Sequence, residues 1–94
     1  MDNLKFVYTG IIINEAEGYS ALCPELDAAS EGETVGEAKN NLSEAVTLYV
    51  ETAIESNLPI QRPMPSEEDP RIIRHNDIVE IFDISVEMSV RSYA

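Results

Sequence analysis

Cysteine, tryptophan and basic side chains are the scarce ingredients of this 94-residue chain. It has one cysteine, Cys23, one histidine, His75, and no tryptophan. A single cysteine excludes an intrachain disulfide framework. With one Cys and one His, no metal-ligand spacing of the zinc type exists either. The four glycines are scattered, so no glycine-rich phosphate loop is present. Apolar runs are too short to span a bilayer. The opening residues, MDNLK, lack the basic-then-apolar order of a signal peptide. These absences point to a reducing cytoplasm, with no membrane association. Six Lys and Arg stand against eighteen Asp and Glu, a net charge of −12. Nucleic acid binding needs basic groups to replace condensed counterions, so direct DNA binding is not expected.

What is abundant is acid. From Glu15 to Ala38 there are seven carboxylates (Glu15, Glu17, Glu25, Asp27, Glu31, Glu33, Glu37) and no base. Such a surface attracts cations or a basic protein, although acidity also serves solubility alone. The length suits one domain, and a hydrophobic fraction of 44% is that of a globular chain.

The periodicities place the elements. Leu4–Ile13 is rich in β-branched and aromatic residues and reads as a strand. Leu4, Phe6, Tyr8 and Ile12 share one face; Val7, Ile11 and Ile13 share the other. A strand apolar on both faces is covered on both. The polar turn Asn14–Gly18 leads to a second strand, Tyr19–Cys23, that Pro24 ends. Ala28–Glu31 reads as a third, weaker strand. Thr34-Val35-Gly36-Glu37 has the capping-box pattern. Ala38, Leu42, Ala45, Val46, Tyr49 and Ala53 follow at helical spacing, and the helix should stop near Asn57, before Pro59. Leu58–Asn76 carries four prolines and Glu67-Glu68-Asp69 without any period. It reads as a connection returning the chain to the sheet. Ile78–Val90 alternates cleanly, with Phe82, Ile84, Val86, Met88 and Val90 on one face.

The expected fold is therefore α+β, in the order β-β-β-α-β. It is a small mixed sheet with one helix on one face. A right-handed crossover would make the last strand parallel to the first. One helix covers one face, so a second copy is expected over Val7, Ile11 and Ile13, as a homodimer or higher homo-oligomer.

Gly18 to Glu51 carries a denser signal. A strand ends in Pro24-Glu25-Leu26, and a short strand leads to Gly32-Glu33-Thr34. A helix follows with Glu37-Ala38, Asn41-Leu42, Glu44-Ala45 and Tyr49. This segment resembles the core signature of HicB-type antitoxins and their solitary relatives, the HicB-like or UPF0150-like small domains. Asp27-Ala28 stand where that family often has Pro-Gly, and Gly36 replaces what is commonly an acidic helix former. The resemblance implies a truncated ribonuclease-H-like fold spanning residues 1–94 as one partner-binding domain. It also implies an antitoxin of a type II toxin-antitoxin system that occludes a small basic HicA-type toxin cleaving messenger RNA. Full-length members commonly add a C-terminal DNA-binding unit; the last strand ends four residues before Ala94, so repression is not carried over.

The acidic residues Glu25, Asp27, Glu31 and Glu33 are the candidates for steering or holding that partner. Catalysis has less support. Two-metal hydrolysis needs several converging acids, and Leu4–Ile13 contains none. Asp83 and Glu87 share a strand face that is more simply a solvated one. Cys23 lies within an alternating apolar strand, where a small buried cysteine is usual. No catalytic residue and no cofactor are expected. A solitary regulatory or structural protein without a toxin, and a metal-dependent nuclease, stay open as alternatives.

Overall fold

The computed structural model of the chain describes residues 2–90, with side chains from 4 to 88. Strands β1 (Asp2–Glu15), β2 (Gly18–Cys23) and β3 (Ala28–Gly32) form an antiparallel meander. Helix α1 (Val35–Glu55) follows, then a one-turn helix α2 (Pro70–Ile73) and strand β4 (Ile78–Val90). The sheet order is β3-β2-β1-β4, and the fold is the expected small α+β arrangement.

Local chemistry sets the ends of α1. The Thr34 hydroxyl accepts from Glu37 N at 3.0 Å, as a Ser/Thr N-cap does. The Glu37 carboxylate accepts in turn from Glu33 N, one residue further back than the usual capping box. At the other end Asn57 adopts φ +56°. Leu58 N donates to Ala53 O at 2.8 Å and Asn57 N to Ile54 O at 3.3 Å. These two bonds are the Schellman closure, which satisfies the last carbonyls.

The buried stripe of α1 is Ala38, Leu42, Val46, Val50 and Ala53. Ala45 and Tyr49 flank it, half-buried. The stripe packs on Tyr8, Ile12, Ala21, Cys23, Ile84 and Val86. Gly32 lets the helix come this close: a Cβ there would stand 2.5 Å from Ala38 N.

One expectation is overturned. β4 pairs with β1 antiparallel, with Tyr8 opposite Ile84 and Gly10 opposite Phe82, so the sheet is antiparallel rather than mixed. The connection decides this. α1 ends at the sheet end opposite its start, where a short link would have launched a parallel strand. Instead residues 56–77 return the chain. Tyr49 Oη donates to Pro59 O, Arg62 N to Glu25 O and Met64 N to Pro24 O. Arg74 then reaches Glu15 and the Asn14 carbonyl at the far end of the sheet. β4 therefore starts beside Ile13 and runs back along β1.

That return path also bears on the apolar second face of β1, where a second copy was expected over Val7, Ile11 and Ile13. Ile11 and Ile13 point away from α1, yet they are 0% and 1% exposed within a single chain. The returning segment covers them, with Asp69 and Pro70 as its buried residues. No second copy is required over these two isoleucines. Val7, further along the same face, is 54% exposed.

Candidate partner-binding surface

The four candidate acids separate into two pairs. Glu25 and Asp27 lie in the turn between β2 and β3; Glu31 and Glu33 lie at the other end of that hairpin. Four residue steps of strand, from Cys23 to Tyr19, separate the two ends, about 13 Å at ~3.3 Å per residue.

Glu25 is fixed by its own chain. Its carboxylate accepts from Thr9 N at 3.0 Å and from Thr9 Oγ1 at 2.7 Å. The Cys23 thiol donates to it at 3.6 Å. β2 has ended at this level, so the Glu25 side chain satisfies the β1 edge where a strand no longer does. Burial pushes its pKa up, but the Thr9 hydrogen bonds prevail and hold it below the usual carboxylate range. Asp27 is exposed and adopts φ +50°, the conformation a glycine would take at that turn. Glu25 thus has a structural role, and Asp27 remains open to solvent.

The other pair joins a larger group. Glu31, Glu33, Glu15, Glu17 and Glu37 line a groove of about 550 Å³, with Tyr19, Ser20 and Asn41. The β1–β2 turn brings Glu15 and Glu17; the entry to α1 brings Glu33 and Glu37. Asn41 Nδ2 donates to the Glu31 carbonyl at 2.8 Å and ties α1 to β3. Glu31 and Glu33 are exposed, as are Glu17 and Glu37. Among the described residues, no three His, Cys, Asp or Glu side chains converge as metal ligands. The acids line a concave surface suited to a basic group.

Glu15 is the member already engaged. Arg74 Nη1 donates to it at 2.8 Å and Ser20 Oγ at 3.1 Å. The Arg74 guanidinium hydrogen bond is the main cause of its lowered pKa. Arg74 also meets Asp77, whereas Arg71 clamps Asp69 through Nε and Nη2. Arg71 and Arg74 are therefore both engaged by carboxylates of the chain itself.

Sequence reasoning missed Glu15, Glu17 and Glu37 as members of this surface. The available signal was topological: in a meander, the first turn and the exit of the third strand lie at the same sheet end. Cys23 is buried, and burial, reinforced by the charge of Glu25, pushes its thiol up to about 12. It is a core residue beside Tyr8, whose pKa burial also raises. Asp83 and Glu87 lie exposed on β4.

No protein-family model matches the chain. Two UPF0150 proteins of Synechocystis sp. do. One is 37% identical over 62 residues, covering 62% of this chain and 78% of the relative. The other is 44% identical over 59 residues, covering 60% and 78%. The chain belongs to this family, the UPF0150 proteins. Its fold is that of a chain in a HicA3 and HicB3 toxin-antitoxin complex. That likeness has a TM-score of 0.54 and 21% identity, over 86% of this chain and 95% of the other. Among the described residues, no helix is long and apolar enough to cross a membrane.

Proposed function

We propose that this chain is a binding module of the antitoxin type, which neutralises a small basic HicA-type toxin by covering its RNA-cleaving surface. The observation that carries this reading is the five-carboxylate groove on a HicB-like fold. An acidic concave end steers and holds a basic partner. Glu31 and Glu33, with Glu17 and Glu37, are the residues that meet it; Asp27 adds a second, separate point of contact, and Glu25 shapes the turn between them. The chain itself is no enzyme on this reading, works in the cytoplasm beside messenger RNA, and does not touch DNA directly. It acts as one domain and as a homodimer.

The test is titration of a HicA-type basic protein with the wild type and with a Glu31→Lys, Glu33→Lys double variant. Both positions are exposed, so the fold should survive. The variant should bind at least tenfold more weakly, and wild-type binding should weaken with salt, since exposed charges are screened. Suppression of RNA cleavage should follow binding. Wild-type binding at the variant's affinity, or no suppression of cleavage, would remove the reading. The two UPF0150 relatives span lengths close to this domain, which favours a solitary protein as the second reading; failure to bind any HicA-type protein of the host supports it.

A further inference from the structure

We propose that a second copy of this chain pairs with the free edge of β4, antiparallel and centred on Ile84, so that two four-stranded sheets become one. This rests on the homodimer of the preceding reading and names its surface.

The two edges of the sheet are unequal. β3 has five residues, its Glu31 carbonyl is taken by Asn41, and α1 lies against it. β4 has thirteen residues, and among the described residues only one of its sides is paired. A long edge of unpaired N–H and C=O groups is a template for another strand unless proline, charged side chains or a bulge blunts it, and the three acids of β4, Glu80, Asp83 and Glu87, admit only a register that opposes them to uncharged residues. β4 has neither proline nor lysine. Its irregularity in pairing with β1 falls at the very start, opposite Ile12/Ile13. Beyond the level of Thr9, β1 and β4 continue without β2 as a ribbon. The molecule is accordingly 52 Å long and only 17 Å thin. A two-stranded ribbon is marginal in water, and further strands stabilise it.

A second copy of β4 overlaps all thirteen of its residues only when centred on Ile84, and the charge pattern suits that register. In a two-fold antiparallel pair, directly opposed residues lie on the same face, so their numbers sum to an even value. Centred on Ile84, Asp83 meets Ser85 of the copy, Glu87 meets Ile81, Glu80 meets Met88, and Phe82 meets Val86. No like charges are opposed. Centred on Asp83, that residue would meet itself; centred on Ser85, it would meet Glu87. The Ile84 register also continues the apolar face across the axis, where Ile84 and Val86 are already buried. It places the aliphatic stem of Glu87 against Ile81, which is 54% exposed in the single chain.

The experiment uses the full chain. Asp83→Cys and Ser85→Cys are made separately, both at exposed positions, and oxidised alone and as an equimolar mixture. Directly opposed Cα atoms lie about 4.5–5.5 Å apart, within disulfide reach, whereas diagonal ones at about 7–8 Å are not. The mixture should give a covalent dimer and each variant alone only traces. Cys23 is fully buried and should stay out of the reaction. Ser85→Asp, which opposes Asp83 twice by symmetry, should weaken the wild-type dimer about fivefold.

Light scattering completes the test. Two copies of charge −12 repel, so self-association should strengthen as salt rises, the opposite sense to binding of a basic partner. A dimer that forms no mixed crosslink, or crosslinks as readily from one variant alone, would place the interface elsewhere and overturn the proposal. A monomer at tens of micromolar in high salt would overturn both the interface and the homodimer, leaving the toxin-binding reading to its own titration.

Discussion

The two faces of the sheet are covered by different means. Over Tyr8, Ile12 and Ile84 lies a 21-residue amphipathic helix whose buried residues recur every three or four positions. Over Ile11 and Ile13 lies an aperiodic, proline-rich segment anchored by polar ties, Asp69 with Arg71 and Arg74 with Glu15 and Asp77. The helix closes its face with apolar packing along its length. The segment buries Asp69 and Pro70 and leaves Ile72, Ile73, Val79, Ile81 and Val7 largely exposed. A face can thus be dry at its centre without being covered throughout, and two of the uncovered residues, Val79 and Ile81, lie on β4, the strand at which the second copy is placed.

The largest expected effect is on the segment face. Ile11→Glu would bury a carboxylate with no partner, and denaturant unfolding should show a loss on the order of 4 kcal/mol. It should destabilise the monomer itself, which separates this view from one in which Ile11 serves only a dimer. On the helix face, Leu42→Ala should cost about 3 kcal/mol through the cavity it leaves under α1. If the segment packs less tightly than α1, Ile11→Ala should cost less than Leu42→Ala in the same assay.

Thr9→Val sharpens the comparison by pH. It removes the hydroxyl that donates to Glu25, at about 1 kcal/mol near neutrality. The folded pKa of Glu25 is depressed, so its contribution is present above the unfolded carboxylate value, about 4.3. That contribution is lost as pH falls through the lower folded value. The cost of Thr9→Val should therefore shrink as the pH drops below about 4. Cys23, pushed up to about 12 by burial, should resist thiol reagents at pH 8 until the protein unfolds, followed by absorbance of the released dye. The smallest effect is a gain. A Cβ on Gly36 meets nothing within 4 Å, so Gly36→Ala should stabilise by about 0.5 kcal/mol in thermal melts.

The legible parts of this molecule are those with a local rule. Thr34 and Asn57 bound α1 as their capping chemistry requires. The alternation in β4 assigned Phe82, Ile84, Val86 and Met88 to the core side. The β1–β2–β3 meander followed from its turns. Val50 was overlooked because Tyr49 fits the stripe nearly as well; the tertiary contact buries Val50 and leaves Tyr49 half-exposed, its hydroxyl on Pro59. For the candidate surface, acidity was visible as a run, but its members were not. Glu25 turned out to bond Thr9, sixteen residues away, while Glu15, Glu17 and Glu37 joined Glu31 and Glu33 across three elements.

By itself the sequence determined the kinds of element, their order, the helix ends, the family signature and the excess of negative charge. Each of these is written in spacings of two to four residues or in a simple sum. Only the tertiary structure decided that β4 runs antiparallel to β1, that the returning segment covers Ile11 and Ile13, and which acids share a groove. These depend on the path of residues 56–77, a stretch without periodicity whose course is set by contacts made at opposite ends of the sheet, to Pro24 and Glu25 at one and to Asn14 and Glu15 at the other.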